Sequence, residues 1–135
     1  MNRTIDSDAM ALINTFESST GAAVKDCIVN EKVLFIVEEN QMGKAIGKNG
    51  INIKKMEYLL KKKIKLAEFN NDAAQFVKNL AYPNEVQVEK KDGAIIVHCN
   101  DSNTRAMVIG RERQNINHIS DIIKRYFDVK EIKVV

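Results

Sequence analysis

The spacing of apolar residues changes along the chain between a helical and a strand-like pattern. At residues 5–16 apolar side chains recur three or four positions apart, which predicts an amphipathic helix with Thr4 or Asp6 as its cap. Two runs rich in β-branched residues follow at 24–29 and 33–37, and only three polar residues separate them. This arrangement predicts a hairpin.

A second helical region follows the hairpin. The sequence predicts a short helix around 41–46, a turn bracketed by two glycines, a longer helix and a closing strand over 64–69. In the longer helix we expect apolar residues to face the core and lysines to face solvent. The expected inward residues are Ile53, Met56, Leu59 and Leu60, and the expected outward ones are Lys54, Lys55, Lys61 and Lys62.

The second half of the chain predicts the same order of elements. Asp72 with Gln75 three residues later has the spacing of a capping box, and Asp92-Gly93 is a strong hairpin turn. A short helix over 103–109, a turn at Gly110 and a long helix precede a strand over 129–135. Each half therefore predicts helix–strand–strand–helix–helix–strand. This is an α+β fold in which a three-stranded sheet packs on helices.

An internal repeat supports this division. Residues 45–53 align with residues 108–116 at an offset of 63 positions, about half of the 135 residues. We interpret the chain as two copies of one small domain, 1–70 and 71–135, joined by so little linker that we expect them to pack rigidly together. The aligned pairs include Gly47 with Gly110, Lys48 with Arg111, Asn52 with Asn115 and Ile53 with Ile116.

The charge is distributed unevenly. Residues 43–65 hold eight lysines and one acid, a net charge of +7, whereas the whole chain carries only +3. A milder basic stretch over 105–125 carries +3. Such segregation is typical of a surface that binds a polyanion, although a solvated helix face is the alternative for any lysine run.

The turn Gly47-Lys48-Asn49-Gly50 is the strongest candidate site. Glycine permits a positive φ and the close approach of another backbone, and the following helix begins with amides that favour an anion. Lys48 adds a positive charge at the same place. The pattern suits a sugar-phosphate backbone, whereas a tight connection between helices is the structural alternative.

With its flanking isoleucines, Ile46-Gly47-Lys48-Asn49-Gly50-Ile51-Asn52-Ile53 resembles the signature of a KH domain. The resemblance implies that this G-x-x-G turn clamps about four nucleotides of single-stranded RNA. The leading helix and strand are similar to the type II arrangement. Two adjacent type II domains, the second with Val-Ile-Gly-Arg, resemble the archaeal NusA-like family across the whole chain. In this length we expect neither the polymerase-binding domain nor the S1 domain of bacterial NusA.

The second turn departs from the family pattern, because Arg113 stands where the second glycine is expected. We expect this change to restrict close backbone approach and Glu112 to repel phosphate, while Arg111 and Arg113 supply forked phosphate contacts. The first copy should therefore be the better clamp. The predicted RNA-binding residues are Lys44, Ile46, Gly47, Lys48, Asn49, Gly50, Ile53, Lys54, Lys55, Gly110, Arg111, Arg113 and Asn115.

Apolar walls should line the groove beside the first turn. Ile46, Ile53, Leu34 and Ile36 are the candidates, and plain core positions are the alternative for each. Aromatic residues make up 6% of the chain and tryptophan is absent, so we do not expect ring stacking to be the main mode of binding.

The sequence does not predict an enzyme. His98 and His118 lack sequence partners that would suggest a catalytic triad or a zinc site, and Cys27 and Cys99 are most simply small hydrophobic residues. We expect no cofactor and no metal. The chain has no apolar run long enough to cross a membrane and no signal pattern at its start, so we expect a cytoplasmic protein.

The resemblance implies binding of nascent single-stranded RNA in transcription termination, antitermination or elongation control. RNA polymerase or other transcription factors would be further partners, and we expect a monomer. Two alternatives remain open at this point. One is a ribosome-associated or ribosome-assembly factor, and the other is a KH-fold scaffold that docks proteins of the transcription machinery.

Overall fold

A computed structural model describes residues 7–135 of the chain. The predicted cap at Thr4 or Asp6 and the first apolar position of the predicted helix lie outside the described residues. Contacts divide the described chain into two compact units. Unit 1 ends at Phe69, and unit 2 spans Asn70–Val135.

Unit 1 has the predicted order of elements. Its strands form one sheet in the order β1-β2-β3, in which β1 is antiparallel to β2 and β3 is parallel to β2. A parallel pair needs a crossover connection, and the two helices between β2 and β3 provide it. The elements are α1 (Ser7–Thr20), β1 (Val24–Val29), β2 (Val33–Val37), α2 (Met42–Ile46), α3 (Ile51–Leu60) and β3 (Ile64–Glu68).

The core of unit 1 lies between its helices and one face of the sheet. Phe16 of α1 stacks on Phe35 of β2 with ring centroids 4.3 Å apart. Strand side chains alternate between the two faces, so Phe35 belongs to this core with its neighbours two positions away. Leu34 and Ile36 lie on the opposite face, where they are 5% and 0% exposed.

Unit 2 repeats the order and the sheet topology of unit 1. Its strands follow the order β4-β5-β6, with β4 antiparallel and β6 parallel to β5. Asp92 and Gly93 both have positive φ, as the tight hairpin between β4 and β5 requires. The elements are α4 (Ala73–Ala81), β4 (Gln87–Lys91), β5 (Ala94–His98), α5 (Ser102–Ile109), α6 (Gln114–Tyr126) and β6 (Glu131–Val134).

The prediction for the inner face of α3 was wrong at one residue. Met56 is fully buried and Leu60 packs against the core, but Leu59 is 52% exposed. Helix α3 ends at Leu60, so both leucines lie within it. Ile53, Met56 and Leu60 share one side of the helix, whereas Leu59 lies about 100° around the axis from Leu60 and faces solvent.

The predicted capping box was also wrong in part. Asp72 does cap α4, since its Oδ1 accepts a hydrogen bond from the Ala74 N–H at 3.2 Å. Gln75 does not reach back to Asp72, because its side-chain amide donates to Asn79 Oδ1 one turn later. The N–H of Asp72 instead donates to Asn70 Oδ1 at 2.8 Å.

Candidate nucleic-acid interface

The backbone between α2 and α3 follows a path that depends on glycine. Helix α2 stops at Gly47, whose φ of 75° and ψ of 172° lie in a region that is essentially restricted to glycine. A single tight turn over Lys48–Gly50 follows, in which Asn49 and Gly50 are both left-handed. Helix α3 begins at the next residue, so its first N–H groups point toward the turn.

Asn52 fixes this turn from the inside. Its Nδ2 donates a hydrogen bond to the Lys44 carbonyl oxygen at 2.7 Å and so joins the first turn of α3 to α2. A Cβ on Gly47 would lie 2.8 Å from Asn52 Cγ. Gly47 is therefore required both by its backbone conformation and by the close contact with Asn52.

Gly50 differs from Gly47 in its surroundings. A Cβ placed on Gly50 would meet no atom of the described residues within 4 Å. Its φ of 72° and ψ of 18° are left-handed values that asparagine and aspartate also adopt. The protein's own packing does not require a bare backbone here, so the missing side chain leaves space for a ligand.

Positive charge surrounds the turn on its exposed sides. Lys44, Lys48, Lys54 and Lys55 are all exposed, and within the part of the chain that the structure describes none of them forms an ion pair. A shallow depression of about 310 Å³ is lined by Lys48, Asn49, Ile51 and Lys54. Ile51, which is 61% exposed, was not among the residues predicted to bind RNA.

The predicted apolar walls separate into two groups. Ile46 is 36% exposed and Ile53 is half-buried, so both present apolar surface next to the turn. Leu34 and Ile36 are buried and cannot contact a ligand. Apolar spacing alone does not distinguish the two groups, because a strand buried on both faces carries apolar residues at every position.

The turn in unit 2 has the same backbone as the turn in unit 1. Gly110 has a φ of 77° and a ψ of 170°, and Glu112 and Arg113 are both left-handed. Arg113 therefore adopts the conformation of Gly50 despite its side chain. The backbone path is thus the same in the two turns, and the difference is an exposed arginine side chain where Gly50 leaves open space. The expected restriction on the approach of a ligand's backbone stays a prediction.

Asn115 has the same position in unit 2 as Asn52 in unit 1. Its Nδ2 donates to the Met107 carbonyl oxygen at 3.1 Å, and a Cβ on Gly110 would lie 2.7 Å from Asn115 Cβ. This hydrogen bond gives Asn115 a role in holding the turn, and its predicted contact with RNA stays a prediction. The same structural role of Asn52 was not predicted from the sequence, although the repeat aligned the two residues.

Each unit thus gathers its own predicted residues around its own turn. In unit 1 they lie on α2, on the turn and on the first two turns of α3. In unit 2 Arg111 and Arg113 are exposed on the turn, and Gly110 and Asn115 form its inner side.

Groups with other possible chemistry lie elsewhere. His98 and Glu89 form a hydrogen-bonded pair at 2.7 Å on adjacent strands, and both are exposed. Cys27 and Cys99 are free thiols, and burial raises the pKa of Cys99. Among residues 7–135 no cluster of potential metal ligands occurs. No described helix is both long enough and apolar enough to cross a membrane.

Comparison with known proteins gives consistent results. The KH domain family matches residues 12–71. A protein of Methanococcus vannielii named "Probable transcription termination protein NusA" is 37% identical, over 97% of this chain and 79% of its own length. The protein of the same name in Thermoplasma acidophilum is 33% identical, over 97% of this chain and 94% of its own length. The crystal structure of a protein called APE1850 superposes with a TM-score of 0.75 at 25% identity, covering 97% of this chain and 100% of that one.

Proposed function

Because this chain belongs to the archaeal NusA family of KH-domain proteins, we propose that it binds single-stranded RNA and acts in transcription termination or elongation control. The observation that carries the proposal is the turn of unit 1. Gly50 leaves the backbone of this turn open, and exposed lysines stand on both sides of it. A phosphodiester backbone matches this combination in charge and in the close approach that it needs.

In this account the RNA backbone lies across Lys48–Gly50. N–H groups at the start of α3 favour the phosphates, and Lys44 and Lys48 neutralise them. Ile46 and Ile53 provide apolar surface for the bases. A turn of this type holds about four nucleotides. We assign the tighter grip to unit 1, because in unit 2 Glu112 is an exposed carboxylate on the turn.

A role in transcription also implies particular binding partners. The RNA would be a nascent transcript, and RNA polymerase or another transcription factor would be a further partner. The site consists of lysines, glycines and apolar side chains, which position and neutralise an RNA chain. We therefore assign it to binding and not to catalysis.

The salt dependence of RNA affinity tests the binding. Each phosphate contact with a single strand contributes a slope of about −0.7 in log affinity against log salt. With about three contacts, affinity should fall roughly 20-fold between about 50 and 200 mM salt. Fluorescence anisotropy of a labelled single-stranded RNA measures this, and a flat response would contradict electrostatic binding.

Crosslinking of the protein to RNA in cells, followed by sequencing of the bound fragments, tests the role in transcription. Fragments should cluster near the ends of many transcripts. If they came only from ribosomal RNA, the role in transcription would be wrong, whereas RNA binding itself would stand.

A further inference from the structure

The outer face of α3 carries an exposed aromatic ring among lysines. Tyr58 is 81% exposed, the largest exposure among the large apolar and aromatic side chains of the described residues. Lys54 and Lys55 lie one helical turn before it, and both are exposed. Residues three and four apart on a helix are surface neighbours, so α3 presents Tyr58 beside two positive charges.

The single acid of this segment does not weaken that charge. Glu57 is next to Tyr58 in sequence, but it is half-buried and its Oε2 accepts a hydrogen bond from the Ile64 N–H at 3.0 Å. The carboxylate is thus turned toward the start of β3. The outer face of α3 around Tyr58 therefore carries positive charge only.

This face continues from the turn. Ile51 and Lys54 line the depression beside Lys48 and Asn49. Tyr58 follows Ile51 by seven residues, two helical turns further along the same side of α3, at a distance of about 10 Å along the axis. A strand of RNA that leaves the turn on this side would meet Lys54 and Lys55 and then Tyr58.

Unit 2 shows that the fold itself does not demand an aromatic residue here. At the repeat offset, Tyr58 corresponds to Asp121, which is also exposed, and Lys54 corresponds to Asn117. Helix α6 has the same position in its unit as α3, but Asn117, His118 and Asp121 stand where α3 has Lys54, Lys55 and Tyr58. The exposed ring next to these two lysines is therefore particular to unit 1.

We propose that the outer face of α3 is a second RNA contact of unit 1, on which Tyr58 stacks an unpaired base beyond the nucleotides held at the turn. This inference rests on the proposed function. Stacking covers an apolar ring that is otherwise in water, and it tolerates any base because every base has a π-face. Lys54 and Lys55 hold the flanking phosphates. Lysine is depleted at the centres of protein–protein interfaces, so this face suits RNA better than a protein partner.

Affinity for RNAs of two lengths tests this contact. Tyr58→Ala should weaken binding of a mixed-sequence single-stranded RNA of about twelve nucleotides by roughly 5- to 50-fold. It should leave the affinity for an RNA of about four nucleotides, which fills only the turn, within about twofold. Tyr58→Phe should bind like the parent protein, because the ring is retained.

Tyr82 provides a matched control, since it is 68% exposed and lies in unit 2 outside the turn. Tyr82→Ala should bind both RNAs as the parent does. Unfolding midpoints of both alanine variants should match that of the parent. A loss in Tyr82→Ala as large as that in Tyr58→Ala would overturn the assignment to Tyr58.

Fluorescence gives a direct readout of stacking. The chain contains no tryptophan, so Tyr58→Trp creates a protein with a single indole. The longer RNA should quench its emission strongly, and the four-nucleotide RNA should not. Tyr82→Trp should show little quenching with either RNA.

The outcomes separate this inference from the proposed function. If the parent binds the longer RNA and Tyr58→Ala binds it equally well, with no quenching in Tyr58→Trp, the second contact is wrong and the function stands. If the parent itself binds neither RNA, the proposed function is wrong and this inference is wrong with it.

Discussion

The turns of unit 1 and unit 2 share a backbone path and differ in what they present to a ligand. In both, the first glycine has a conformation that other residues avoid, and an asparagine packs against it. The fourth position is left-handed in both, yet it is Gly50 in one and Arg113 in the other. The first glycine is thus required by the fold. The second is not, which points to the ligand as the reason for Gly50.

The helices that follow the two turns also differ in what they present to RNA. In unit 1, α3 carries lysines and an exposed tyrosine on its outer face, whereas α6 carries Asn117 and Asp121 at the corresponding positions. The folded framework has been kept in both units, while the features that suit RNA are concentrated in unit 1. Three sets of substitutions test this comparison.

The largest effect should come from the glycines that both turns share. Gly47→Ala and Gly110→Ala should each destabilise the protein by about 2 to 4 kcal/mol, since they combine a strained backbone with a contact under 3 Å. Gly110→Ala should lower the free energy of unfolding more, because its Cβ would also lie 2.9 Å from the backbone nitrogen of Asn115. Urea unfolding measures both.

Gly50→Ala is the control for these variants. It has space for a methyl group, so only the left-handed conformation should cost stability, about 1 kcal/mol. Equal destabilisation by Gly47→Ala and Gly50→Ala would contradict the different roles of the two glycines.

An intermediate effect, on RNA affinity, should follow from charge reversal on each turn. Lys48→Glu should weaken RNA binding by about tenfold, because it replaces a phosphate contact with repulsion. Arg111→Glu, at the equivalent position, should weaken it by only about twofold to threefold if unit 1 is the better clamp. Anisotropy with one labelled RNA at one salt concentration compares them, and a larger loss in Arg111→Glu would reverse the order of the two units.

The smallest effect, a change in folding stability at low pH, concerns the helices that precede the turns. Asp101 caps α5, and the hydrogen bond from the Thr104 N–H at 2.7 Å lowers the pKa of this carboxyl below its ordinary 3.8. Because the folded-state pKa is the lower one, the stabilisation is present above the ordinary pKa and is lost as pH falls through the folded-state value. Helix α2 has Gln41 at its N-cap position, and the Gln41 side chain makes no cap hydrogen bond, so α2 in unit 1 has no counterpart of the Asp101 cap.

Asp101→Asn isolates this contribution, since asparagine still accepts the hydrogen bond but does not titrate in this range. The parent should lose more stability than the variant between about pH 5 and pH 3. Asp72, whose pKa is lowered chiefly by a hydrogen bond from Lys90, titrates in both proteins and cancels in the difference. Identical pH profiles in thermal unfolding would show that the Asp101 cap contributes nothing.

Most of the fold could be predicted from the sequence because periodicity and repetition agreed. The hairpin strands Val24–Val29 and Val33–Val37 begin and end where they were expected. The order of elements in unit 2 followed independently from its own pattern and from the repeat. At Leu59 the pattern alone was insufficient, because Leu59 and Leu60 both fit the helical spacing from Met56, and only the packing shows which of the two sides the core covers.

The sequence predicted which residues form the site better than it predicted what each of them does. Gly47 and Gly50 look equivalent in sequence, and only the surroundings of each Cβ distinguish them. Asn115 was predicted to bind RNA, and Asn52 was noted only as its partner in the repeat. Their hydrogen bonds to the carbonyls of Lys44 and Met107 depend on how the helices meet. The outer face of α3 was seen as a charged face, whereas the exposure of Tyr58 required the structure.

The most direct test of the central claim, that the turn of unit 1 is the RNA clamp, is the RNA affinity of Gly50→Asp measured beside Gly21→Asp. Both glycines have positive φ and open space around a Cβ, and both lie in unit 1, but only Gly50 lies on the turn. Gly50→Asp should lose RNA affinity by at least about tenfold while it unfolds at nearly the same urea concentration as Gly21→Asp, which should bind like the parent. Parental RNA affinity in a folded Gly50→Asp protein would contradict the account.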